Sequence, residues 1–246
     1  RSAALPLVDA LISANDDRAR SGMTVTLWPF LLLAVTALAL LTLVWVNQRL
    51  AARFRRRVNP GVALAGLAAL VGLGFATVAT FAQSTESSTV RTGSYAQAVA
   101  ASDARSAGND AKANEALRLV SRGSGKAYEQ KWVAAAKTVT DTGVAGRQWS
   151  AYAAAHAKIV ALDDGGDWDG AVAAATTAAG GSATADFTAF DDAAKAQVEA
   201  RSNATTSALQ GGLVVLLVAA AFGFVLCLLA AGLAWRGVSQ RLEEYL

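Results

Sequence analysis

Three long runs of the chain contain no charged residue: residues 25–46, 62–81 and 213–235, which are 22, 20 and 23 residues long. At 1.5 Å of rise per residue, about 20 helical residues cross a hydrocarbon core of about 30 Å. The pattern predicts three transmembrane helices. A cleaved signal peptide does not account for the first run. It is too long, carries Pro29 near its outer end, and lacks a small-residue cleavage site. Between the second and third runs the pattern changes to charged and alanine-rich positions at helical spacing, with no alternating β-branched stretches.

The loop at residues 47–61 fixes the orientation. Arg49, Arg53, Arg55, Arg56 and Arg57 give it five positive charges and no negative one. By the positive-inside rule it is cytoplasmic. Residues 1–24 and 84–208 then lie outside, and the tail 236–246 returns to the cytoplasm. Trp28, Trp45 and Trp235 fall near the predicted span ends, where interfacial anchors belong. The Arg cluster has two readings: topology with attraction to anionic lipid, or docking of a cytoplasmic partner.

Residues 84–208 are the size of one domain. Punctuation divides them into helices. The first runs over about 87–122 and is broken by SRGSG. The second covers 126–140 and ends before Gly143. The third covers 144–162 and ends at DDGGD. Asp167 caps a short helix reaching residue 178. The last runs from about residue 186 and meets no breaker until Gly211-Gly212. The expected fold is an all-α membrane protein. It has three transmembrane helices and, over residues 84–210, an extracytoplasmic antiparallel helical bundle of the four-helix type. The first and last bundle helices continue from the second and third spans.

Composition narrows the function. The chain is 54% hydrophobic and 17% charged, against about 25% charged for an ordinary soluble domain. Disorder is excluded by the apolar content. The single Cys227 excludes an internal disulfide or a Cys-rich zinc module, and it falls inside a predicted span. The net charge of +3 combines the Arg loop with an outer region of 12 Lys and Arg against 14 Asp and Glu. That is a statement about topology, not about nucleic acid. No nucleophile–histidine arrangement, phosphate-binding loop or dinucleotide fingerprint is present. The expectation is a protein without catalytic residues, cofactor or metal. The spans also lack the ionisable groups that transporters carry.

Candidate binding residues lie in the outer region. Trp149, Tyr152 and His156 stand at i, i+3 and i+7, on one helix face. They form either an aromatic pocket with an imidazole or a core stripe. The preceding polar stretch carries Asp103, Arg105, Asn109, Asp110, Asn114 and Glu115. Some of these line a polar cavity inside the bundle, or all belong to a solvated face. Asn109 and Asp110 are kept as ligand or partner candidates. The acidic loop DDGGDWDG lacks EF-hand spacing and is read as a turn with an N-cap.

Certain stretches resemble actinobacterial membrane proteins of the GlnX type. They are ALPLVDALI before the first span, the hairpin ARFRRRVNPGVALAGLAAL, DARSAGNDAKANEALRL in the outer region, and the terminal GVSQRLEEYL. The resemblance implies a transducer that senses amino acids outside with a solute-binding lipoprotein of the GlnH type. It passes the signal to a soluble serine/threonine kinase of the PknG type that adjusts 2-oxoglutarate metabolism. The Arg loop and the tail, with Arg241, Glu243, Glu244 and Tyr245, would be the reporting surfaces. The chain begins at Arg1 rather than Met, and the resemblance implies a fourth span and another outer domain upstream. Two alternatives stand beside it: an accessory subunit of a larger membrane complex, and a receptor that binds amino acids directly.

Overall fold

The structure is a computed structural model that describes residues 4–23, 28–54 and 60–243. Arg55, Arg56, Arg57, Glu244 and Tyr245 lie outside the described residues, as do residues 24–27 at the start of the first expected span. Among the described residues every regular element is a helix. They are α1 (Ala4–Gly22), α2 (Trp28–Phe54), α3 (Pro60–Val90), a π-helical turn (Arg91–Tyr95), α4 (Ala96–Val120), α5 (Lys126–Thr142), α6 (Gly146–Asp164), α7 (Trp168–Thr176) and α8 (Ala183–Glu243). The chain divides into two compact units. One comprises Arg1–Arg91 and Ser207–Leu246, the other Thr92–Thr206.

In the first unit α1 carries charged residues, whereas α2, α3 and the later part of α8 are largely apolar. Two helical stretches in the chain, Ala63–Val120 and Ala183–Leu233, are long and apolar enough to cross a membrane by length and composition. In α2 the described apolar stretch within the first expected span is the shorter Leu33–Thr42. A helix satisfies every backbone N–H and C=O within such a run, apart from its ends, whatever surrounds it. The threonines follow the same rule. Thr42, Thr77 and Thr80 each donate to the carbonyl one turn back, on Leu38, Leu73 and Ala76, at 2.8 Å. Large apolar side chains point outward, with Val78 68% and Phe224 65% exposed. Aromatic side chains join some of these helices. Phe30 meets Phe81 edge-on at 6.2 Å, and Phe75 meets Phe222 at 5.0 Å. Arg49 is exposed and lies 4.8 Å over the Trp45 ring one turn away.

In α8 the helix passes straight through Gly211-Gly212, as expected of a last bundle helix that continues into the apolar run after it. A side chain at position 212 would strike the Gln83 amide of α3. Glycine there serves close approach rather than a turn.

The second unit is a bundle of α4, α5, α6, α7 and the first part of α8. Its core alternates small and large. Ala101, Ala104, Ala111, Ala171 and Ala194 are buried, and so are Trp132, Trp149, Tyr152 and Phe190. Alanine draws the helix axes together, and the aromatics fill the space that remains. The turns follow the sequence signals. Gly143 adopts the left-handed conformation that ends α5, with φ of 67°. Asp167 caps α7 by accepting from Gly170 N at 2.9 Å. The π-helical turn had no sequence signal. Within it the Ser94 hydroxyl accepts from the Thr205 hydroxyl at 2.9 Å, which ties the turn to α8.

Gly108 of α4 faces the fully buried Phe190, and a Cβ at Gly108 would run into the Phe190 ring. Gly108→Ala is expected to cost about 1–3 kcal/mol through overpacking, despite alanine's better helix propensity. Thermal unfolding followed by circular dichroism would read this as a lower midpoint. An unchanged or higher midpoint would contradict the packing described.

Candidate functional site

The charged residues of α4 recur at Lys112, Glu115 and Arg118, three apart, so they share one helix face. That face is turned into the bundle. Glu115 is 1% exposed and Arg118 3% exposed. An ion so buried costs several kcal/mol in lost hydration unless its hydrogen-bonding capacity is filled. Here it is filled from several helices.

Glu115 Oε1 accepts from Lys112 Nζ at 2.6 Å. Its Oε2 accepts from the Tyr152 hydroxyl at 3.1 Å and lies 2.7 Å from His156 Nδ1. The Tyr152 oxygen in turn accepts from Trp132 Nε1 at 3.4 Å. The other ring nitrogen of His156, Nε2, lies 3.2 Å from Glu129 Oε2 on α5. The imidazole stacks on the Trp132 indole, with centroids 3.8 Å apart and planes within 9°. Arg118 continues the network. Its Nη1 lies 3.4 Å from Glu129 and its Nη2 donates to Asp164. Its Nε is 3.0 Å from Asp163 Oδ2 but off the N–H direction, an ion pair without a hydrogen bond. Gly125 makes room for this arginine, because a side chain there would strike the Arg118 stem.

Electrostatics follow from the geometry. Burial favours the neutral acid of Glu115. Hydrogen bonds from His156 and Lys112 outweigh it, and the carboxyl sits below its ordinary value. Burial, reinforced by the Glu115 charge, pushes the Tyr152 phenol far above its ordinary value, so it stays a neutral donor. A separate pair stands nearer solvent. Arg105 makes a two-pronged contact with Asp191 at 2.7 and 2.9 Å. That hydrogen bond lowers the Asp191 carboxyl and raises the Arg105 guanidinium. With side chains 40% and 24% exposed, the pair contributes at most about 1 kcal/mol.

The candidate residues therefore fall into two groups. Trp149, Tyr152 and His156 share a face and are 5%, 0% and 2% exposed, enclosed in the core rather than open to a ligand. Asn109 and Asp110 are both exposed. The Asn109 amide donates to the Arg105 carbonyl at 2.9 Å and to Asp191 at 3.3 Å. Asp110 borders an open groove of about 590 Å³ between α4 and α5, with Asp103, Ser106, Asn114, Lys131 and Thr138. Of the polar residues picked out on this helix, the one enclosed is Glu115, not Asp103, Asn109 or Asp110. Arg53, Arg241 and Glu243 lie within α2 and α8.

Lys112, Arg118, Glu129, Trp132 and Asp163 were not picked out from the sequence. The spacing of Lys112, Glu115 and Arg118 was visible, but opposite charges three apart are equally ordinary on a solvated helix face, so spacing alone did not mark them. A second groove, about 530 Å³ and mostly apolar, is bordered by Leu119, Val120, Trp168 and Val172, with Lys112 and Glu115 of the network also in its lining. Trp168 closes its rim by donating to the Leu119 carbonyl at 2.8 Å, with Arg122 over its ring at 3.8 Å.

Among the described residues no set of three or more His, Cys, Asp and Glu side chains is arranged to hold a metal ion. Glu115 and Glu129 face opposite nitrogens of His156, so the three do not converge. Comparison of the chain with family models, with curated proteins and with solved structures finds no match.

Stability should depend on pH through Glu115. Its pKa is lowered on folding, so its contribution is complete above the unfolded value of about 4.3 and is lost as pH falls through and below it. Glu115→Gln, which leaves Lys112 and His156 without their carboxylate, is expected to cost about 3–5 kcal/mol at neutral pH and to flatten the acid limb. Denaturant titrations of both proteins across this range would measure it. An unchanged acid limb in the variant would refute the assignment.

Proposed function

We propose that this chain is a multi-pass membrane signal transducer. It couples an extracytoplasmic amino-acid or binding-protein signal to a cytoplasmic partner. In this reading residues 25–46, 62–81 and 213–235 span the membrane. The loop 47–61 and the tail 236–246 are cytoplasmic, and residues 84–208 form an extracytoplasmic bundle. The observation that carries the proposal is α8. It is one helix of 61 residues, bundle core at Phe190 and Ala194 and uninterrupted apolar sequence over 213–235. A piston or rotation of such a helix needs no joint to reach its far end.

The charge asymmetry of the 47–61 loop supports the orientation. The network around Glu115 suits a transducing bundle, because most of its polar atoms are spent on joining α4, α5 and α6 to one another. The resemblance to GlnX-type proteins supplies the partner classes: a solute-binding lipoprotein outside and a serine/threonine kinase inside. Both cytoplasmic segments are short, which suits docking of a separate protein rather than an output domain of the chain's own.

Two measurements on intact cells test this. In a Cys227→Ser background, a cysteine at Lys131 should react with a membrane-impermeant maleimide, and one at Arg53 should react only after permeabilisation. Removing residues 236–246 should abolish the response to external amino acids while the protein stays in the membrane. Labelling with the opposite sidedness would overturn the topology. A response unaffected by tail removal, in a chain that copurifies as a stoichiometric subunit of an enzyme complex, would favour the accessory-subunit reading.

A further inference from the structure

His156 is the only histidine of the chain, is 2% exposed, and has a carboxylate at each ring nitrogen. A neutral imidazole carries one N–H and can donate to only one of them; the doubly protonated ring donates to both. We propose that His156 is a proton-operated clasp: the doubly protonated ring joins Glu115 of α4 to Glu129 of α5, and loss of one proton frees Glu129 while Glu115 stays bound.

The surroundings decide which contact yields. From α4, the ring faces Glu115, itself held by Lys112, and Arg118 stands beyond it. From α5 it faces Glu129. On its own helix, Tyr152 donates to Glu115, and Asp163 and Asp164 sit on Arg118. Four carboxylates thus share two permanent cations, and the imidazolium is the third. When the ring holds one proton, a lone pair must face one carboxylate. Glu115 cannot withdraw, because it is 1% exposed and held by Lys112 and Tyr152. Glu129 can, because it is 27% exposed and has Arg118 at 3.4 Å as its other partner. The proton therefore stays on Nδ1 and leaves Nε2. The stacking of the ring on Trp132 weakens with it, since a cation is attracted to an indole face more strongly than a neutral ring. Both effects loosen α5 from α6, while Arg118 still reaches Glu129 from α4 and Glu115 keeps α4 bound to α6.

A single histidine makes the test direct. The full chain, ¹⁵N-labelled at histidine and held in lipid nanodiscs, is followed by NMR between about pH 5 and about pH 9. Amide exchange of α5 is read in parallel by mass spectrometry, corrected for the intrinsic pH dependence of exchange. The expected neutral form is the Nδ1–H tautomer. As the ring loses its proton, exchange in α5 should rise about tenfold or more, the loss of one charge-assisted hydrogen bond. Exchange over residues 111–119 of α4 should stay level. In Glu129→Gln, where the amide can donate to a neutral ring, the α5 step should vanish while the circular dichroism spectrum is kept. A neutral ring protonated on Nε2, a ring that never takes a second proton, or α5 exchange that ignores the ring's titration would each overturn the clasp.

Discussion

Glu115 sets the terms for the bundle. It is a full negative charge at 1% exposure, placed in a core made largely of alanine. Left unpaired, such a group costs several kcal/mol and takes up a proton instead. It is kept ionised by Lys112 on its own helix and by Tyr152 and His156 on α6. Those donors must arrive together. Sliding α6 by one turn would strand the carboxylate, and moving α5 would take Glu129 from His156 and Trp132 from beneath the ring. An alanine seam resists such slippage weakly, because its small side chains interlock little. The charged and aromatic layer supplies the missing specificity of register.

The apolar helices show the opposite pattern, one compatible with lipid contact. In the first unit large aliphatic and aromatic side chains point outward, and the polar atoms are turned in on the backbone, as with Thr42, Thr77 and Thr80. In the second unit the large side chains point in and the charges mostly point out. Helix α8 obeys both rules along its length. Its sequence changes from one pattern to the other without a helix-breaking signal that the structure honours, because Gly211-Gly212 is used for close approach to Gln83. Glycine is ambiguous in this respect. It ends α5 at Gly143, where the backbone is left-handed, and continues α8 at Gly212, where it is helical.

Much of the helical organisation was legible in the sequence. The uncharged runs 62–81 and 213–235 lie within α3 and α8, and the SRGSG and DDGGD breaks and the Asp167 cap lie where helices end or begin. The shared face of Trp149, Tyr152 and His156 followed from spacing alone. What could not be read was which face of α4 turns inward. Its alanines are so frequent that no apolar stripe marks a face, and the polar residues Asp103, Asn109 and Asp110 looked as eligible for burial as Glu115. The choice is made by partners distant in sequence: Glu129 and Trp132 on α5, and Asp163 on α6. The π-helical turn at Arg91–Tyr95 was also hidden, since its residues RTGSY carry no propensity that demands it.

The most direct test of the central claim is a double-mutant cycle on Glu115 and His156, with glutamine at each position singly and together. If the buried pair organises the bundle, the two destabilisations will fall well short of adding, with a coupling energy of about 1–3 kcal/mol. Destabilisations that add within about 0.3 kcal/mol would show that the two side chains act independently, and would contradict the account.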